Sequence, residues 1–215
     1  MRDRYSIVVG LLFLVLIAIA FFHTVGGNEP GTLGLDKLPA RWPLPGFAVP
    51  AAAGALEGDA NVAQDDCETS QVPCPSGARR TPACLIHTAG AIRLCDLFDR
   101  PLVLSFWWGD CADQQDAVER AYERYRGRVS FLSLDVRDDR GTVRELLRRH
   151  GWKMPVAYDR DGAVASLYRI GGCPTFAYAY PGGTLQSASI GDLTAGQLDA
   201  HILGLLRATH AAEGG

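Results

Sequence analysis

Two short apolar runs flank a stretch with helical periodicity, and this arrangement constrains the fold most strongly. Residues 102–107 (LVLSFW) and 129–136 (VSFLSLDV) have the length and β-forming composition of buried strands. Between them, residues 111–126 place Val118, Ala121 and Tyr125 on one helical face, and Gly127 ends the pattern. A buried strand, a helix and a second buried strand predict a right-handed βαβ unit and an α/β fold.

Further elements follow this unit along the chain. We expect a helix near 140–150 ended by Gly151, an extended segment at 155–158 and a short helix at 163–168. Two strands, 174–180 and 185–190, flank Pro181-Gly182-Gly183 and predict an antiparallel hairpin. Thr194 and Gln197 form a capping box that opens a last helix. The order β-α-β-α-β-β-α is that of a thioredoxin-like fold, a central mixed sheet flanked by helices, over 84–209, with a disordered tail at 210–215.

The N-terminal segment predicts a membrane anchor. Residues 6–22 are uncharged and almost wholly apolar, long enough to cross most of a bilayer core of about 30 Å. Arg2 and Arg4 precede the run and no Lys or Arg follows until Lys37, which favours a cytoplasmic N-terminus and an extracytoplasmic domain. The alternative is a signal peptide cleaved near Ala18-Ile19-Ala20. We therefore expect a single-pass anchor at 1–23 in the cell membrane, and both alternatives deliver the domain to an oxidising compartment.

Residues 24–83 are rich in Gly, Pro and Ala and predict a tether, one short opening strand and a cysteine-containing insertion. The whole chain has 21 Lys+Arg against 24 Asp+Glu, a net charge of −3, and we expect no nucleic acid partner. No oligomeric state follows from these patterns.

We expect four of the six cysteines to form two structural disulfides. Cys84 and Cys95 lie opposite each other if a hairpin turns at Ala89-Gly90. Cys67 and Cys74 are seven residues apart in the insertion and predict a local loop disulfide. No Cys-x2-Cys spacing for zinc is present, so we expect neither a metal site nor a cofactor.

Several motifs resemble the membrane-anchored thioredoxin-like thiol-disulfide oxidoreductases of the TlpA/ResA type. Residues 100–107 (RPLVLSFW) are similar to the first core strand of that family, and 45–50 (PGFAVP) to its opening strand. The stretch from Asp159-x-x-Gly162 to Pro174-Thr175 is similar to the segment that leads to the family's cis-proline. The resemblance implies thiol-disulfide exchange with protein thiols or disulfides as substrates.

The chain departs from the family at its active-site motif. The Cys-x-x-Cys of the family is here Cys111-Ala112-Asp113-Gln114, so glutamine stands at the position of the second cysteine. Cys173 directly precedes Pro174. In this fold the cis-proline loop packs against the helix N-terminus that carries the first cysteine. The resemblance therefore implies that Cys111 and Cys173 lie close enough to bond.

Roles for the neighbouring residues follow from that arrangement. Cys111 is the expected nucleophile, Cys173 its resolving partner, and Pro174 in cis would leave the adjacent backbone free to pair with a substrate strand. Trp107 either shields the sulfur or simply packs at the strand end. The residues expected near a substrate are Trp107, Trp108, Gln114 and Thr175.

The same residues are compatible with two alternatives to an exchange enzyme, one of which has no enzymatic activity. A Cys111–Cys173 bridge that is purely structural would make the chain a disulfide-stapled binding domain with a thioredoxin-like shape. A peroxiredoxin-like thiol peroxidase would also place one reactive cysteine at position 111, although such enzymes typically carry Thr where this chain has Trp108.

Overall fold

The computed structural model describes residues 15, 34–56, 62–65, 68–69, 72–73 and 81–214. The chain divides into two compact units, Met1–Thr32 and Leu33–Gly215, and the fold described below is that of the second. The predicted anchor at 6–22, apart from Val15, and the predicted pair Cys67 and Cys74 lie outside the described residues.

Across the described ranges, no helix combines the length and the apolar composition needed to cross a bilayer.

The described strands and helices are short and alternate along the chain. The strands are β1 (Phe47–Pro50), β2 (Ala63–Gln64), β3 (Glu68–Thr69), β4 (Val72–Pro73), β5 (Ala91–Arg93), β6 (Leu102–Trp107), β7 (Ser130–Asp135), β8 (Val156–Tyr158), β9 (Thr175–Ala179) and β10 (Leu185–Ile190). The α-helices are α1 (Gln115–Tyr125), α2 (Arg140–His150), α3 (Ala163–Leu167) and α4 (Ala195–Glu213). Short 3-10 turns cover Leu35–Lys37, Ala83–Leu85, Leu94–Leu97 and Gly109–Gln114.

A five-stranded mixed sheet with the order β10-β9-β6-β7-β8 forms the centre of the domain. β6 pairs in parallel with β7, and β7 in parallel with β8. β9 runs antiparallel to β6 and forms a hairpin with β10. Every residue of β6, β7, β8 and β9 is buried, because the sheet is covered on both faces. The predicted βαβ unit, the hairpin and the thioredoxin-like α/β fold are confirmed.

Local signals in the sequence set the ends of the helices. The Asp139 side chain accepts hydrogen bonds from the backbone N–H groups of Gly141 and Thr142 and caps α2, which ends where Gly151 takes a left-handed conformation (φ 70°). Thr194 and Gln197 form the predicted capping box of α4. α4 extends to Glu213, so most of the predicted tail at 210–215 is helical.

The folded unit begins well before residue 84. Leu35, Phe47 and Val49 are fully buried, and β1 lies between β2 and β5 in a second sheet. The Tyr168 hydroxyl donates to the carbonyl oxygen of Pro45 at 2.7 Å, within the core. The predicted opening strand at 45–50 is confirmed by β1. The prediction of a tether is wrong for the rest of residues 34–56, because these pieces are too short to show a periodic pattern yet bury their apolar side chains.

Cys84 and Cys95 form a disulfide with a Cα–Cα distance of 5.7 Å. The hairpin predicted to bring them together is absent from the described region around them, since β5 pairs with β1 instead. Each half-cystine lies in a separate 3-10 turn, and the guanidinium of Arg93 donates to the carbonyl oxygen of Cys84 at 3.3 Å. The bridge therefore links two turns that flank β5.

Candidate active site

Cys111 lies in the turn Gly109–Gln114 between β6 and α1. The predicted helix start at residue 111 is wrong, because Cys111 has a non-helical backbone (φ −121°, ψ 18°) and α1 begins at Gln115. The backbone N–H of Gly109 donates to the Asp138 carboxylate at 2.6 Å, and the N–H of Cys111 to the carbonyl of Trp108 at 2.9 Å. These bonds hold the turn at the carboxyl end of β6.

A disulfide joins Cys111 to Cys173, 62 residues further along the chain, with a Cα–Cα distance of 6.1 Å. That separation is within the range of ordinary disulfides. Cys173 precedes a cis peptide bond to Pro174, which leads into β9. Both half-cystines are partly buried, and among the described residues neither the N–H nor the carbonyl of Cys173 makes a hydrogen bond to protein.

The backbone of Trp108 surrounds the sulfur of Cys111. Its N–H donates to Cys111 Sγ at 3.5 Å. A donor directed at sulfur favours the thiolate, while the carbonyl oxygen of Trp108, 3.3 Å from the same sulfur, favours the thiol. The Trp108 side chain is partly buried and lines the pocket at the disulfide.

Trp107 lies beneath the site. It is fully buried, its indole N–H donates to Ser133 Oγ at 2.7 Å, and its ring meets Trp152 edge-on at 5.6 Å. Cys111 and Cys173 both pack against the core cluster to which Trp107 belongs. Trp107 therefore supports the site from the core and is not exposed for direct contact with a substrate.

A buried polar network connects β6, β7 and α1 behind the turn. Gln115 is fully buried, its amide nitrogen donates to Ser105 Oγ at 3.0 Å, and its amide oxygen accepts from Ser133 Oγ at 2.8 Å. This network was not predicted from the sequence, although two serines within otherwise apolar strands are the signal that could have revealed it. It satisfies every side chain it buries and fixes the first residue of α1.

Gln114, at the position of the missing second cysteine, is engaged with the protein itself. Its side-chain amide donates to the Leu193 carbonyl at 2.9 Å and accepts from the Leu193 N–H at 3.0 Å. These bonds fix the β10–α4 loop, and the substrate contact of Gln114, which also lines the pocket at the disulfide, stays a prediction. Thr175 is also fully buried, and its hydroxyl donates to the Gly172 carbonyl at 2.7 Å, so it supports the loop instead of facing a substrate.

A pocket of about 420 Å³ opens at the disulfide. Cys111 and Cys173 line it together with Trp108 and Gln114. Three exposed carboxylates complete its rim: Asp110, Asp113 and Asp192. The disulfide thus lies within reach of solvent in a negatively charged setting.

Two buried carboxyl groups lie at the carboxyl ends of neighbouring strands. Burial raises the pKa of Asp135 to about 7, and hydrogen bonds from the N–H groups of Arg137 and Asp138 oppose part of that rise. Burial likewise raises the pKa of Asp159 to about 7, assisted by a hydrogen bond with Asp161. In each case one carboxyl oxygen is buried without a hydrogen-bond partner among the described residues.

Curated relatives of the chain are named as oxidoreductases. This chain is 26% identical over 115 residues to "Thiol-disulfide oxidoreductase ResA" of Oceanobacillus iheyensis. It is 27% identical over 115 residues to the protein of the same name in Bacillus thuringiensis. Each match covers 52% of this chain, and the chain spans only 60% and 66% of the length of these two relatives. No family model matches the chain.

Solved structures show the same fold. A Chlorobium tepidum protein proposed to be a thiol:disulfide interchange protein DsbE superposes with a TM-score of 0.57 at 18% identity, covering 79% of this chain and 99% of that protein. An uncharacterised conserved protein from Geobacillus kaustophilus gives 0.56 at 16% identity, covering 80% and 85%. The sequence matches relate the chain to ResA-like proteins, and the structural matches show a thioredoxin-like fold.

The buried carboxyls predict a pH-dependent stability. Because the folded chain keeps protons at Asp135 and Asp159 that the unfolded chain releases near pH 4, the free energy of unfolding falls as pH rises from about 4 through 7. Replacing Asp135 by Asn removes one such proton. The variant's fall in unfolding free energy between pH 5 and 8, measured by urea unfolding, should be smaller by about 2 kcal/mol.

Asp139→Asn is the matched control. Hydrogen bonds from Thr142 lower the pKa of Asp139, so this group titrates below the tested window and its variant should keep the full pH dependence. A wild-type stability that does not change between pH 5 and 8 would contradict the assignment, as would an unchanged slope in Asp135→Asn.

Proposed function

We propose that this chain is a membrane-tethered, extracytoplasmic thiol-disulfide exchange protein whose redox pair is Cys111 and Cys173. The observation that carries the proposal is the disulfide itself, which joins the turn after β6 to the loop before β9 inside a pocket open to solvent. The names of the ResA relatives support the same class of activity.

The exchange proceeds in two balanced steps. A substrate thiolate attacks Cys111 Sγ, a new intermolecular S–S bond forms, and the bond to Cys173 breaks with Cys173 leaving as a thiolate. A second thiolate of the substrate then attacks its own bridged sulfur and releases the Cys111 thiolate. The substrate loses two electrons and two protons, and the protein disulfide gains the electrons. Run in reverse, the same steps reduce a substrate disulfide.

Three features of the site support these steps. The N–H of Trp108 lies against Cys111 Sγ and donates to its thiolate when the bridge opens. The unpaired backbone groups of Cys173, next to the cis bond, are available to a substrate strand. Gln114 leaves no second cysteine beside Cys111, so the resolving sulfur is on the opposite loop.

The cysteine variants test this proposal directly. Cys111→Ser should abolish turnover of a disulfide substrate such as insulin, because the thiolate that attacks the substrate disulfide is gone. Cys173→Ser should also lose turnover but accumulate a mixed disulfide at Cys111, visible by mass spectrometry, because no partner resolves it.

The control is the double variant Cys84→Ser/Cys95→Ser, which removes the other described bridge and should retain turnover. Full activity in Cys111→Ser would refute the proposal. Absence of turnover in the wild type with any disulfide or dithiol substrate would favour a disulfide-stapled binding domain, and rapid peroxide consumption by Cys111 would favour a thiol peroxidase.

The membrane tether belongs to the same proposal. Its support is the uncharged apolar run at 6–22 behind Arg2 and Arg4. The full chain expressed in bacteria should stay in the membrane fraction after washing at alkaline pH, and protease added to spheroplasts should digest the domain. Release by the wash, or protection from the protease, would contradict the tether or its orientation.

A further inference from the structure

The acidic rim of the active-site pocket comes from two separate parts of the chain. Asp110 and Asp113 lie on the turn that carries Cys111, and Asp192 lies on the loop between β10 and α4. Gln114 binds Leu193 with both ends of its amide, and this fixes the second part beside the first. The three carboxylates are thus held around one disulfide by the fold.

These carboxylates have no neutralising partner in the described part of the chain. The described residues lining the pocket include no Lys, Arg or His, and none of the three aspartates forms an ion pair there. Some exposed carboxylates elsewhere are paired, since Asp199 pairs with Arg124 and Asp96 with Arg93. The negative charge of the rim is therefore directed at whatever enters the pocket.

The group that can react in this pocket is the disulfide itself. Within the described ranges, no group of three or more His, Cys, Asp or Glu is arranged to hold a metal. The reacting group of the pocket is the Cys111–Cys173 bridge, and a disulfide reacts with thiolates. Ile190, 44% exposed, lies against Gly172, the residue before Cys173.

We propose that this pocket selects its thiol substrates by charge, favouring cysteines flanked by Lys or Arg and disfavouring thiols that carry carboxylates. The inference rests on the proposed exchange function and names the substrate class of the same site. A thiolate approaching Cys111 already meets the negative charges of the rim. A cationic group beside the thiol offsets that repulsion, and a second anion increases it.

The experiment measures opening of the Cys111–Cys173 disulfide by three small thiols. The oxidised full chain in a non-ionic detergent is treated at pH 7 with cysteamine (cationic), 2-mercaptoethanol (uncharged) or thioglycolate (anionic). Samples are quenched by alkylation, and the freed cysteines are quantified by mass spectrometry. Each rate is divided by that of the same thiol with bis(2-hydroxyethyl) disulfide, which removes differences in thiolate fraction and nucleophilicity.

We expect the normalised rate with cysteamine to exceed that with thioglycolate by about tenfold at 10 mM ionic strength. At 1 M the ratio should be less than about twofold, because the Debye length falls from about 30 Å to about 3 Å. In the triple variant Asp110→Asn/Asp113→Asn/Asp192→Asn, the ratio of the cysteamine rate to the thioglycolate rate at low salt should fall close to one. The control Asp99→Asn/Glu123→Gln/Glu145→Gln removes three carboxylates that do not line the pocket. This control should keep the same ratio of rates as the wild type.

Three results would overturn the charge selection while leaving the exchange function intact: equal normalised rates for the three thiols, an unchanged ratio in the pocket variant, or an equal loss in the control. A bridge that none of the thiols opens would instead refute the exchange function, and the selection with it.

Discussion

The pairing of β6 with a strand on each side determines where the chemistry of this domain can lie. β6 runs parallel to β7, with Trp107 opposite Asp135, and antiparallel to β9, with Phe106 opposite Thr175. The chain leaving β6 and the chain entering β9 must therefore meet at one edge of the sheet. The turn with Cys111 and the loop with Cys173 are these two segments, so a bond between residues 62 positions apart follows from strand order.

Much of this architecture could be predicted because its signals are local. The β6 run matches its predicted bounds, and α2 ends at Gly151 because a left-handed residue stops the helix. The packing of residues 34–56 could not be predicted, since pieces of three or four residues carry no period. The route by which Cys84 reaches Cys95 was missed for a related reason: β5 pairs with the distant β1, and a local pattern cannot reveal a distant partner.

In the candidate active site, too, the features with a local signal could be predicted and those that depend on distant partners could not. The sequence identifies Cys111, Cys173 and Gln114 as unusual, but side-chain partners depend on the tertiary structure. Gln114 bonds to a loop 79 residues away. Gln115, which the sequence does not distinguish from a surface residue, is fully buried where α1 packs on β6 and β7. Substitution of the second cysteine therefore does not leave the turn unsupported. Glutamine fixes the adjacent loop, and the sulfur chemistry is shared across two loops.

The same Cys111–Cys173 bridge is compatible with an exchange centre and with a structural disulfide, and the two differ in reduction potential. The most direct test is a redox titration of the full chain in dithiol buffers, with the Cys111–Cys173 bridge quantified by alkylation and mass spectrometry. Exchange chemistry predicts a midpoint between about −120 and −270 mV, the range of known oxidoreductases. A bridge that stays closed below about −300 mV would contradict that account and identify a structural disulfide in a binding domain.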